Sequence, residues 1–100
     1  MTKLTYDEAL QALNEDRCID ACDIKTRALR RKVWVSMNGM PGCMPNSRGL
    51  SRTKADAIES CLSIADEPRG MRADLQRTGS ADFEDEVYEV YPATLAECIG

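Results

Sequence analysis

Histidine is missing altogether from this chain of 100 residues. Its absence removes the commonest general base, the Cys–His and Ser–His dyads and the commonest metal ligand in one step. No stretch approaches the roughly 20 consecutive apolar residues that cross a bilayer. The opening Met1 to Glu8 also lacks the apolar segment of a signal peptide, so a cytoplasmic location is the expectation. Acids are missing from residues 24–55, which carry eight bases, and bases are missing from residues 78–100, which carry six acids. Those two gaps matter more than the net charge of −4, because a chain with a basic middle and an acidic end is built to meet charged partners or to neutralise itself on folding.

What remains is a globular composition with 43% hydrophobic residues and mixed charge, at the size of one domain spanning residues 1–100. A core of that size leaves little room for an internal substrate cavity. Five cysteines, Cys18, Cys22, Cys43, Cys61 and Cys98, are odd in number and irregularly spaced, which argues for reduced core thiols rather than a disulfide framework. Cys18 and Cys22 could start a four-cysteine zinc site, but a single pair at this spacing is not a zinc knuckle, and no metal is assigned. The Gly-bearing run Met37 to Pro45 lacks the spacings of the P-loop and dinucleotide fingerprints, so no cofactor is implied. Its methionines suit either an adaptable recognition loop or core cover. The carboxylates Asp82, Glu84, Asp85 and Glu86 sit in a polar run with no apolar pocket to raise a pKa, so acid–base catalysis is not expected and the chain reads as a non-enzyme.

Local patterns outline the elements. Thr5 and Glu8 form a capping box that starts a helix carrying Tyr6, Ala9, Leu10 and Leu13 on one stripe, ending near Glu15 or Asp16. A second short helical stretch fits between Cys18 and Arg30. Val33, Trp34 and Val35 favour a strand over 32–37, and Asn38-Gly39 suggests a turn that the prolines lengthen into a loop before a second strand near Ser47 to Ser51. Thr53 with Asp56 begins a helix whose stripe is Ile58, Cys61, Leu62 and Ala65. Met71 to Gln76 offers another helical turn, Thr78 to Ser80 a loop, and Glu86 to Tyr91 a strand that Pro92 is expected to end, with a short tail after it. The expected class is α+β, with a small antiparallel sheet (hairpin plus C-terminal strand) and two or three helices packed on one face.

Two surfaces stand out as candidate contact sites. The first is Asp82, Glu84, Asp85, Glu86 and Glu89 with Tyr88 among them, where carboxylates interleaved with aromatics can imitate phosphates beside bases. The alternative is a solvated edge strand protected by its charge. The second surface is Arg30, Arg31, Lys32, Arg48 and Arg52, whose clustered cations suit phosphate and mark the alternative of a small nucleic-acid-binding regulatory protein. Trp34 beside them suits either base stacking or sheet cover.

A small acidic domain of short elements, with both signs of charge and no catalytic apparatus, resembles the small phage-encoded anti-CRISPR proteins in size, acidity and architecture, over the whole chain and without an alignable motif. The resemblance implies an inhibitor that binds a Cascade-type CRISPR surveillance complex, of protein and crRNA, stoichiometrically and blocks target DNA binding. The acidic run would then face the arginines and lysines of that complex.

Overall fold

The computed structural model describes residues 2–40, 47–65, 69–83 and 85–99. Five helices and four strands follow in the order α1 (Tyr6–Asn14), α2 (Thr26–Leu29), β1 (Lys32–Gly39), β2 (Ser47–Ser51), α3 (Lys54–Ala65), α4 (Met71–Thr78), β3 (Ser80–Phe83), β4 (Glu86–Thr94) and α5 (Leu95–Ile99). The strands form one antiparallel sheet in the order β2-β1-β4-β3. The α+β class with a small antiparallel sheet is therefore the observed one.

Helices cover both faces of that sheet, where one-sided packing was expected. Side chains alternate along a strand. Val33 and Val35 of β1 thus turn to a cluster with Tyr6, Ala9 and Leu10 of α1, Ile24, Ala28, Leu50 and Leu95. Trp34 between them packs on the opposite cluster, built from Ala57, Ile58, Cys61 and Leu62 of α3, Met71 and Leu75 of α4, and Ala81, Tyr88 and Val90 of the sheet. Burying each such aliphatic side chain stabilises by about 1.5–3 kcal/mol, so both faces need a helical cover. The Val-Trp-Val run, apolar at three successive positions, already records a strand buried on two sides.

The helix starts follow their caps. In α1 the Glu8 amide donates to Thr5 Oγ1 at 3.3 Å and the Thr5 amide to Glu8 Oε1 at 3.0 Å. Those contacts hold the Glu8 carboxyl below its usual range. The Asp56 amide donates to Thr53 Oγ1 at the head of α3. A third box, Thr94 with Glu97, opens α5, so the expected tail is a helix whose Leu95 is fully buried.

Three further expectations are corrected. Asn38 and Gly39 do not turn; they pair with Ser47 and with Tyr88 and Val87 inside the sheet, and the connection to β2 runs through residues 41–46, outside the described residues. Ser80, expected to belong to the loop of Thr78 to Ser80, instead opens strand β3, which continues through Phe83. Pro92 does not end β4 but lies within it, opposite Trp34. The Leu95 amide bonds to Arg31 at 3.0 Å, and the two-residue alternation of an antiparallel ladder then makes Trp34↔Pro92 a position that asks no amide of residue 92. The proline nitrogen faces the side that β3 has already left, where proline is tolerated.

Both sheet edges are plugged by side chains. On β2, Asn14 Nδ2 donates to the Leu50 carbonyl at 2.9 Å and Asn14 Oδ1 accepts the Leu50 amide at 2.8 Å, standing in for a neighbouring strand. On β3, Thr78 Oγ1 serves both the amide and the carbonyl of Ser80. Free edges invite pairing with another chain. Replacing Asn14→Ala removes both partners of Leu50, a cost of about 1–3 kcal/mol; urea denaturation will show that loss, and sedimentation will show concentration-dependent association absent from the parent. Gly79, at φ 79°, ends α4 and brings its carbonyl to the Val90 amide at 2.8 Å, and a Cβ there would sit 2.7 Å from the Val90 oxygen. Gly79→Ala therefore lowers stability by about 1–3 kcal/mol, read as a drop in thermal midpoint of several degrees.

Candidate functional site

Antiparallel pairing of β1 with β4 sets two charged ends apart. The acidic end lies where Gly39 pairs with Val87 and β3 turns into β4; the basic end lies where Lys32 pairs with Thr94. The nine residues of β4 separate them by about 26 Å at about 3.3 Å per residue, within a molecule 46 Å long.

At the acidic end the register divides the candidate residues. Asp82 pairs with Val87 and Ser80 with Glu89, so Asp82, Val87, Glu89 and, further along, Tyr91 share one face of the sheet. Asp82, Glu89 and Tyr91 are exposed there and Val87 is half-buried. The Tyr91 hydroxyl donates to Met37 Sδ at 3.2 Å across the strand pair, which steadies the ring. Asp85 is exposed in the turn beside this face. Among the described residues no cation pairs with the carboxylates of Asp82, Asp85 or Glu89. Tyr88 belongs to the other face and is buried in the core, and its hydroxyl donates to the half-buried Glu86 at 2.8 Å. Tyr88 thus packs rather than presents itself, because its position is even where Glu89 and Tyr91 are odd. Glu84 lies outside the described residues.

At the basic end two aromatic rings gather the cations. The Arg31 guanidinium lies 3.9 Å from the centre of the Tyr6 ring and that of Arg52 5.6 Å from it, while the ammonium groups of Lys32 and Lys54 each lie 5.8 Å from the Trp34 ring. Burial raises the Tyr6 pKa while the two arginines pull it down, and its hydroxyl donates to the Lys32 carbonyl at 2.7 Å. Arg52 also reaches Asp7 at 2.9 Å, and Lys54 reaches the Gln76 carbonyl. Arg30 is exposed next to this group. Arg48 is not part of it: it pairs with Met37, far along β2, and donates to the Cys98 carbonyl of α5. The sequence pattern did not show that Tyr6, a residue of the α1 stripe, would organise these arginines. The only local signal was its position at the helix start.

The four described cysteines are not assembled into one site. Cys61 lies in the core cluster under α3 and Cys98 against the opposite cluster, with the sheet between them. Cys18 and Cys22 are exposed, and Cys43 lies outside the described residues. Asp20, Cys22 and Asp23 do bring ligand atoms within 4.8 Å of one another, but the Asp23 carboxylate there accepts the Asp20 amide at 3.0 Å and closes a tight turn. A shallow groove of about 480 Å³ between β2 and α3, lined by Ser36, Asp56, Glu59 and Ser60 among others, has its Glu59 held by Arg72. No helix among the described residues is long and apolar enough to cross a membrane.

Compared with known proteins, the chain matches no family model, no curated protein and no solved structure.

Burial pushes the Cys61 thiol up to about 11, and the thiolate is the reactive form. An aromatic disulfide reagent at neutral pH will therefore label Cys18 and Cys22 in the folded protein within minutes, whereas Cys61 will react only when urea unfolds the chain.

Proposed function

We propose that this protein is a non-catalytic binding protein that uses the open acidic face, Asp82, Asp85 and Glu89 around Val87 and Tyr91, to occupy a cationic surface of a larger assembly. The observation that carries the reading is the set of carboxylates without cationic partners among the described residues, on β3, β4 and the turn between them. Here Arg48, in the same cross-strand row as Met37 and Glu89, donates to the Cys98 carbonyl, and the cations of the basic end are turned to Tyr6, Trp34 and Asp7.

A half-buried valine and an exposed tyrosine inside an acidic rim make a surface for protein rather than for a polyanion, since interface centres favour apolar and aromatic anchors and the charged rim steers encounter. A surface built to receive nucleic acid is the cationic partner that such a face fits. Taken with the resemblance to anti-CRISPR proteins in size and acidity, the occupied surface is that of a Cascade-type surveillance complex, and the action is stoichiometric obstruction of target DNA.

Surface plasmon resonance of the chain on an immobilised, purified surveillance complex tests this, with labelled target DNA as competitor. The expected outcome is one-to-one binding that excludes target DNA. The Asp82→Asn, Asp85→Asn, Glu89→Gln variant then associates about tenfold or more slowly, with a smaller change in dissociation. An association rate that the triple variant leaves unchanged, or simultaneous binding of chain and target DNA, sinks the reading.

A further inference from the structure

We propose that the basic end of the sheet is a second binding surface, for the phosphate backbone of a nucleic acid. The proposal stands on its own geometry and does not depend on the partner of the acidic face.

Five cations, Arg30, Arg31, Lys32, Arg52 and Lys54, come from two segments about 20 residues apart and converge because β1 runs antiparallel to β2. Tyr6 holds two of the guanidinium groups and Trp34 two of the ammonium groups. A ring attracts a cation through its quadrupole without cancelling its charge. Among the described residues only Arg52 of the five meets a carboxylate, that of Asp7. Three unneutralised charges, those of Arg31, Lys32 and Lys54, thus sit on ring-supported side chains, with the exposed Arg30 beside them, around one end of the sheet whose two faces carry Tyr6 and Trp34, and part of the entropy of ordering those three side chains is lost before any ligand arrives.

The class of ligand follows from what the patch does not offer. The large exposed apolar side chains among the described residues are Met40, Ile64 and Tyr91, and none belongs to this end. A protein interface centres on apolar or aromatic anchors, and a membrane-surface site adds apolar side chains that enter the lipid. A surface of charge alone, with two rings holding the cations in place, matches a chain of phosphates.

The test is fluorescence anisotropy of the intact protein with labelled single-stranded DNA and RNA of about 20 nucleotides, in salt from about 25 to 200 mM. The expected result is binding whose logarithm falls against log salt with a slope of about −3, at about −0.7 per phosphate neutralised on a single strand. The Arg30→Gln, Lys32→Gln variant, folded by circular dichroism, will shallow that slope by about 1 and weaken binding roughly tenfold at low salt. Asp82→Asn, Glu89→Gln will leave binding as tight or tighter. Should the double variant unfold, Arg30→Gln alone serves, because no contact holds Arg30 in place among the described residues. Absence of binding at the lowest salt, indifference to Arg30→Gln, or binding to polyglutamate or phosphatidylserine vesicles but not to the oligonucleotides overturns the proposal. None of these arms contains a CRISPR complex, so this result and that of the acidic face are read separately.

Discussion

The pairing of β1 with β4 is the constraint on which the rest of the molecule depends. Eight residue pairs run from Lys32↔Thr94 to Gly39↔Val87, and alternate residues feed two separate cores. Val33 and Val35 complete the cluster under α1, while Trp34, Tyr88 and Val90 complete the cluster under α3 and α4. A slip of one residue would turn every one of these to the wrong face. Pro92 adds to the specification, because it is tolerated only with its nitrogen on the side that β3 does not reach.

The same pairing separates the charges. Blocks that alternate along the chain become two ends of one strand pair, about 26 Å apart by strand rise. Screening at physiological salt acts over about 8 Å, so neither end neutralises the other across that span. Each is therefore available to a partner of its own, and the modest net charge of −4 conceals two opposed surfaces. The proposed functions use one end each: carboxylates beside Tyr91 for a cationic protein surface, and ring-supported cations for phosphate.

Exposed sheet edges are hazardous unless they are closed. Asn14 occupies the Leu50 position of β2 and Thr78 the Ser80 position of β3, each as donor and acceptor at once. Each outer strand is thus capped at one outward residue within the fold. Gly79 belongs to the same economy of space: its left-handed conformation ends α4 and lets β3 begin one residue later against β4.

What the sequence determined by itself were the features set by neighbours in the chain. Thr5 with Glu8, and Thr53 with Asp56, place helix starts through contacts spanning three residues, and the stripe of Ile58, Cys61 and Leu62 orients α3. The box of Thr94 and Glu97 was equally legible, but the proline two residues before it suggested a finished strand. Only the tertiary structure decided that Ser-Ala-Asp-Phe, too short and too polar to declare itself, becomes a strand, because its amides find β4. It alone decided that Tyr88 packs while Glu89 faces out, since the phase of an alternating pattern is set by which face finds a core. The candidate acidic set was thereby divided, and the basic set lost Arg48 and gained the ring of Tyr6. Capping and periodicity act within a turn or two of the chain, whereas these assignments depend on contacts between residues tens of positions apart, which the sequence holds but does not display.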